Sequence, residues 1–522
     1  MGPLKAKRWV FYAFLLALVI RLAHLCAIAQ TPIPEWQKYD VEADFSATWA
    51  WAASIRGGNL LGNPPPHPFP TWMRRVGTRA EWDGWLGGEL LFQQAPLYAY
   101  AVALATDAPK GKPLWLFFWQ ALLGAACVGG VASLASRWGG PLAGVLAAFI
   151  WALTRTEVAL DVSLLRDAVA MPLVLAALCL LERLRTPGTH RGTALCLGVL
   201  LGLGALEREN VVVLMLAALP LSAWLLGRDA TQAIKGAQRA GIPALVLGGF
   251  LLAWTPLIAR NLHVGVSPLA LSNRGPEVIL TGLSVRPGSD VIFRPGNHVY
   301  PAIRADLEAA RGSSLRALGI VLEAGRHQPL ALVRVLARKG WALLCAGEPG
   351  DNIDLDYLAQ KSWILRMCLP TGVLIAPALF GVGLALRFRR RAAVGLVAFA
   401  VFGGLLLATV VVWRFRAGIL PVAVPFIGVA LAWLWSVRRA PRALAPAAVF
   451  ILGMTAFGYL YSATPVFSLR PYGAALSVTV DLEHGDAKAA LEEINAYDAR
   501  VSRGEALRYP ALDQIRERLH RP

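Results

Sequence analysis

The sequence predicts an all-helical polytopic membrane protein that crosses the bilayer about eleven times, because its apolar runs repeatedly reach spanning length. Three observations carry that expectation. Apolar residues make up 56% of the 522 residues and charged residues only 16%, against roughly 25% charged in a soluble domain; the mean hydropathy is +0.51. Many apolar runs approach the ~20 residues needed to cross hydrocarbon. Finally, the net charge of +18 is carried in short basic clusters between those runs, the mark of cytoplasmic loops rather than of a nucleic-acid surface. No nucleic-acid partner is expected. The six cysteines (Cys26, Cys127, Cys179, Cys196, Cys345, Cys368) are scattered, without a CxxC or Cys/His spacing, so neither a metal site nor a disulfide framework is read from them.

The first span covers about 9–28 and follows the basic end Lys5, Lys7, Arg8; it is read as a retained anchor, because no small-residue cleavage site leads into a soluble domain. A long polar stretch, about 31–111, holds an amphipathic run at 46–56 and the apolar segment 94–105, too short to span and suited to the interface. Spans two and three (about 112–136 and 139–154) flank the turn SRWGG. Span four, about 157–183, carries Asp161, Arg166 and Asp167. Spans five and six (about 192–206 and 210–227) meet at Glu207-Arg208-Glu209-Asn210, and span seven ends at Arg260-Asn261. A second polar region, about 262–361, contains an amphipathic helix near 329–344. Spans eight to eleven (about 363–387, 392–412, 417–436 and 442–461) are separated by RFRRR, WRFR and VRRAPR. The tail, 462–522, reads as a short helical pair at 485–501 and 510–519, below the three repeats a helical array needs.

With the N-terminus inside, the loops 137–139, 182–191, 228–239, 387–391 and 437–441 are cytoplasmic, and all carry Arg or Lys; shifting the count by one helix would put them outside, against the positive-inside rule. The C-terminus and both long polar regions then lie outside. So do Arg208, Arg260, Arg414 and Arg416, with Asp161, Arg166 and Asp167 in the outer half of span four. Ionisable groups at such depth are costly and mark a site or pair with one another. The outer face is where the protein is expected to work.

The stretch 39–59, YDVEADFSATWAWAASIRGGN, places Asp40, Glu42 and Asp44 just past the first span. Asp44, Ala52 and Gly58, followed by QAPLY at 94–98, LLRDAVAMPLVLAALCLLERL at 164–184, GLGALEREN at 202–210 and RNLHVG at 260–265, resemble in order the motifs of the GT-C fold glycosyltransferases. The resemblance is to the protein-mannosyltransferase and aminoarabinose-transferase-like group, glycosyltransferase family 39 and its bacterial relatives. Stretches 337–357 and 414–426 are also similar to bacterial members. Many members follow the first acid with a second, where this chain has Phe45; that leaves Asp40 or Glu42 as rivals to Asp44.

The resemblance implies a GT-C fold, residues 1–461, with the tail as a small outer appendage. It also implies an inverting transfer of a sugar from a polyprenyl-phosphate carrier to a glycan, lipid or protein acceptor outside a bacterial cytoplasmic membrane. Such a reaction needs a base at the acceptor hydroxyl and cations around the departing phosphate. Asp44 is the candidate base; a carboxylate there is otherwise a solvated loop acid. Arg208, Arg260, Arg414, Arg416 and Lys339 are candidates for the phosphate, since a guanidinium gives two parallel bonds to phosphate oxygens. Asp40, Glu42, Asp161, Arg166, Asp167, Glu209 and Asn261 are supporting candidates, with Asp167 suited to orient an arginine. No metal site is legible. Some relatives use a divalent ion, and the acids that could assist Asp44 are Asp40, Glu42, Asp351, Asp354 and Asp356. Trp49, Trp51, Trp72, Trp82 and Trp85 in the first outer loop read as interfacial anchors, with stacking on a sugar or polyprenyl chain as the other reading. A glycan polymerase or ligase, a lipid-linked sugar transporter and a non-catalytic scaffold are the alternative functions; a transporter would be expected to show inverted repeats and broken helices at mid-membrane.

Overall fold

A helix lies at each of the apolar stretches expected to span. In chain order they are Pro3–Ala29, Leu114–Gly139, Pro141–Leu153, Asp167–Arg183, His190–Glu207, Val211–Leu226, Gly236–Val264, Thr371–Arg387, Ala393–Ala408, Leu420–Ser436 and Pro441–Ser462. The computed structural model describes residues 3–38, 44–62, 65–67, 69–74, 76–105, 113–186, 190–226, 236–286, 300–348, 352–353, 355–387, 391–462, 472–504, 508 and 510–519. Among these residues there is no strand, only an isolated bridge between Thr154 and Leu369. Four helices are long and apolar enough by themselves to cross a membrane, within 4–29, 114–139, 241–264 and 441–460, and the chain is a membrane protein. The centre of the bundle is the helix Leu420–Ser436, whose first eleven residues are all buried. It packs against Pro141–Leu153, Thr371–Arg387 and Leu114–Gly139. Small residues permit these approaches: a Cβ on Gly428 would sit 2.4 Å from the Ala143 carbonyl oxygen, and one on Gly381 2.0 Å from that of Phe426, the close backbone packing typical of helices in lipid.

Two expected spans are broken. The stretch read as one helix over 157–183 consists of a short helix Arg155–Leu160 and the helix Asp167–Arg183, with 161–166 irregular between them. Irregular backbone inside a membrane protein is tolerated only where protein groups satisfy it. Here Gln37 Oε1 accepts from Leu164 N at 2.7 Å, and Gln120 Nε2 donates to the carbonyls of Asp161 and Ser163 at 3.2 and 3.0 Å. The stretch read as one helix over 363–387 is likewise divided into Trp363–Met367 and Thr371–Arg387. This second break is tied to the junction before Arg155–Leu160: Leu369 N donates to Leu153 O at 2.7 Å and Arg155 N to Leu369 O at 2.9 Å. Span nine is shorter than expected, ending at Ala408. It is followed by a five-residue helix Trp413–Ala417 that carries two of the candidate arginines.

The elements of the two long polar regions pack as protein rather than lying as isolated interfacial strips. The helix Asp44–Arg56 buries Phe45, Trp49, Trp51, Ala52 and Ile55 in the main core and packs against Leu97–Ala105. A second apolar cluster joins Met73, Val76, Trp82 and Trp85 to Tyr300, Ile303 and Leu307 from the second outer region. The tryptophans of the first outer loop are therefore core residues, not interfacial anchors: Trp49, Trp51, Trp82 and Trp85 are all buried. The Trp72 side chain lies outside the described residues. Tryptophans exposed on the apolar helices, such as Trp9, Trp115 and Trp119, are the ones placed for anchoring. The helix expected near 329–344 is present as Pro329–Leu344, and the tail contains Tyr472–Glu483 in addition to the expected pair, Ala487–Ser502 and Pro510–Leu519.

Candidate active site

Asp44 is the first residue of its helix, where a carboxylate is favoured by the unpaired backbone N–H groups and the positive end of the helix dipole. Its carboxylate is met from three distant parts of the chain. Gln94 Nε2 donates to Oδ1 at 2.8 Å, Asn352 Nδ2 to Oδ2 at 3.0 Å, and an Arg414 guanidinium nitrogen lies 2.7 Å from Oδ2. The Asp44 side chain keeps 21% of its surface while that of Arg414 keeps 9%, so the acid, not the base, is the accessible member of the pair. Burial alone would raise the Asp44 pKa; the charges of Arg414, Arg274 and Arg166 and the Asn352 hydrogen bond overcome it and hold the carboxyl well below its usual range.

The arginines around this carboxylate form a stack. Phe415 is shared by two guanidinium groups, with Arg208 4.5 Å and Arg414 5.1 Å from its ring centre, contacts that arginine favours with aromatic rings. Arg208 is ion-paired with Asp167, so its counter-charge comes from across the bundle and not from its chain neighbours Glu207 and Glu209. Glu209 instead pairs with Arg166 at 2.9 Å and accepts from Ala95 N at 2.9 Å, directly beside Gln94. Burial acts to raise the Glu209 pKa, but Arg166 and the backbone donors prevail and lower it. Arg274 is held by Glu277 at 3.0 Å, and Glu277 accepts from the Tyr300 hydroxyl at 2.6 Å.

The remaining candidates stand elsewhere. Arg260 donates to the carbonyls of Leu61 and Gly62 at 3.1 and 3.0 Å and stacks 4.1 Å from the Phe92 ring centre. Its neighbour Asn261 donates to the carbonyls of Pro268 and Ala270. Arg416 donates to Gly347 O at 2.7 Å and Cys345 O at 3.0 Å. Lys339, fully buried, donates to Leu407 O at 2.8 Å and also to Thr409 O, closing the C-terminal end of the helix Ala393–Ala408. All three cations donate to backbone carbonyls, and Arg416 also lies 3.9 Å from the buried carboxylate of Glu348. Asp161 pairs with Arg21 at 2.6 Å, on the bundle side of the break rather than at Asp44, and Asp356 lies 3.2 Å from Arg155. Asp40, Glu42, Asp351 and Asp354 lie outside the described residues.

Sequence reasoning missed Arg274, Gln94, Asn352, Arg21 and His24. The last two carried a signal, an arginine and a histidine three residues apart inside a long apolar run. Both are fully buried, and His24 Nδ1 is 2.8 Å from Ser362 Oγ. Among the described residues no three His, Cys, Asp or Glu side chains converge to hold a metal ion. Among the described residues, the side chains that meet the Asp44 carboxylate are two amides and a guanidinium.

Residues 93–258 match the model of the dolichyl-phosphate-mannose-protein mannosyltransferase family, a segment that contains Gln94, Arg166, Asp167, Arg208 and Glu209 and ends short of Arg260. No curated protein sequence matches the chain. Among solved structures, the apo oligosaccharyltransferase of Archaeoglobus fulgidus is similar at 15% identity and a TM-score of 0.47, with 93% of this chain and 56% of that one covered. The same organism's AglB in complex with an inhibitory peptide and a dolichol-phosphate gives 17% identity and 0.41, with 94% and 56% covered. ArnT from Cupriavidus metallidurans bound to undecaprenyl phosphate gives 14% and 0.29, with 87% and 88% covered. The chain thus spans about half the length of the archaeal enzymes. The resemblance to glycosyltransferase family 39 expected from the motifs is borne out by the family match over residues 93–258.

Proposed function

We propose that this chain is an inverting glycosyltransferase that moves a sugar from a polyprenyl-phosphate carrier to an acceptor on the outer face of a bacterial cytoplasmic membrane, with Asp44 as general base. In this reading the chain crosses the membrane eleven times, N-terminus inside and C-terminus outside, and the site lies between the two outer regions. The observation that carries it is the accessible carboxylate of Asp44, fixed by Gln94 and Asn352, within 2.7 Å of Arg414. Arg208, Arg166 and Arg274 add charge close by.

The pairing suggests how the site is switched by substrate. A carboxylate held at low pKa is a weak base. A lipid phosphate entering the cluster competes for Arg414 and takes it as a bidentate partner. Asp44, losing its counter-charge while still partly buried, becomes more basic. It can then accept the proton of the acceptor hydroxyl as that oxygen attacks the anomeric carbon, and the phosphate departs toward Arg414, Arg208 and Arg166, which stabilise the growing charge. Arg260, Arg416 and Lys339 hold the walls of this space through backbone carbonyls. No step calls on a metal ion.

The test is binding of undecaprenyl phosphate to the protein in lipid nanodiscs, followed by native mass spectrometry. Arg414→Gln is expected to weaken binding about tenfold or more, the value of a charge-assisted hydrogen bond. Equal occupancy in wild type and variant would remove Arg414 from the phosphate site.

A further inference from the structure

The C-terminal tail touches the segments on either side of the Asp44 site. Its three helices close an apolar cluster around Tyr357, with Ala474, Val478, Ala490, Ile494, Tyr497 and Leu512 all buried against it. Polar contacts fasten the same surface. Glu493 accepts from the Tyr357 hydroxyl at 2.9 Å and is ion-paired with Lys361, and Arg500 donates to Gln360 Oε1 at 2.8 Å. All these partners lie on the short helix Leu355–Lys361. That helix begins three residues after Asn352, whose amide holds Asp44. The intervening Ile353 carbonyl accepts from Trp413 Nε1 at 2.8 Å, next to Arg414.

The tail reaches the other half of the site as well. The helix Tyr472–Glu483 packs against the short helix Ile33–Trp36, and Val480 is buried in the main core together with Ile33 and Trp36. Trp36 meets Phe45 edge-to-face, ring centres 6.2 Å apart, and Phe45 is the residue after Asp44. A four-residue and a seven-residue helix have little stability of their own; one side of each is set in the main core through Ile33, Trp36, Leu355, Leu358 and Ala359, and the tail packs against both.

We propose that the tail is a brace that holds Asn352 and Asp44 in register across the two outer regions, and that Glu493 is its positioning residue. The catalytic group needs such support because misplacement by about 1 Å slows a positioned reaction step by as much as about a hundredfold. Glu493 touches no reacting atom. It acts through Tyr357 and Lys361 on Asn352.

The experiment uses the full-length protein in nanodiscs and three variants: Lys361→Glu, Glu493→Lys and the double exchange. Hydrogen exchange read by mass spectrometry should rise in both single variants at 355–361 and at 44–50. In the same variants kcat should fall about tenfold, within the range set by misplacement, while the KM for the lipid-linked donor stays unchanged. The double exchange restores the ion pair with reversed sign and should return both readouts toward wild type. Faster exchange confined to 487–502, with 44–50 unaltered, would show that the tail packs on the site without bracing it. Failure of the double exchange to restore either readout, or single variants indistinguishable from wild type, would remove Glu493 from the role. The kinetic readout rests on the glycosyltransferase reading; the exchange readout does not, so loss of one leaves the other decisive.

Discussion

Asp44 and Arg414 lie 370 positions apart in the chain, and their contact at 2.7 Å sets the chemistry proposed for the site. Burial raises the pKa of the Asp44 carboxyl, and Arg414 is the first of the charges that lower it; without Arg414, only Arg274, Arg166 and the Asn352 hydrogen bond remain to oppose burial. A base works only when deprotonated, so a raised pKa moves the acid limb of kcat/KM to higher pH. Wild type should lose activity through Asp44 only below the ordinary carboxylate range, about pH 4. The acid limb of the residual activity of Arg414→Gln should lie at higher pH than that of wild type. Superimposable acid limbs in the two proteins would show that Arg414 does not govern the base. At this scale the sequence was informative about charge and silent about partners. Asp44 was singled out by the motif spacing it shares with Ala52 and Gly58, and Arg208 and Arg414 because charged groups at helix ends in an apolar chain are costly. Arg260, Arg416 and Lys339 looked the same by that criterion, and only the positions of the carbonyls of Leu61, Gly62, Gly347, Cys345, Leu407 and Thr409 separate them. Asn352 and Gln94 lie in stretches that carried the family resemblance, 337–357 and 94–98, but as neutral residues they gave no sign of a place at the carboxylate.

Among the elements, the two broken helices are where apolar patterning misled. Hydropathy registers the apolar run but not the backbone groups that Gln37 and Gln120 satisfy, so the interruption at 161–166 was invisible. The break is pinned by Arg21, whose pairing with Asp161 is buried on both sides, at 0% and 3% side-chain exposure. Removing one partner of such a pair leaves an uncompensated charge and costs about 3–5 kcal/mol. Arg21→Met should therefore lower the thermal midpoint of the detergent-solubilised protein by several degrees, and adding Asp161→Asn should recover most of the loss. A double variant no more stable than the single one would mean that Arg21 acts by packing alone. Gly124→Ala tests the same contact from the other side, because a Cβ there would lie 2.2 Å from Asp161 Oδ2; destabilisation is expected. Lys339→Met should destabilise the C-terminal end of Ala393–Ala408 by about 1–3 kcal/mol, the cost of leaving its carbonyls unpaired, seen as faster hydrogen exchange at 405–412. Unchanged exchange there would contradict the capping role.

For the molecule as a whole, the all-helical class and the position of each apolar helix were legible, because a span advertises itself by length and composition. How the outer regions fold was not. The second apolar cluster joins residues around 73–86 to residues around 280–321, a pairing with no periodic signal. The tryptophans that fill it looked like membrane anchors for the same reason. Packing of the two polar regions onto each other accompanies the meeting of Asp44, Asn352 and Arg414, and in the proposed account the tail helps to hold them there. The account's central claim is that this site transfers a sugar, with Asp44 as base. The most direct measurement is mass spectrometry of envelope glycans and glycolipids from a deletion strain complemented with wild type or with Asp44→Asn. The account predicts that wild type restores a mass difference equal to one sugar and that the variant, expressed at the same level, does not. An identical profile restored by both would contradict it.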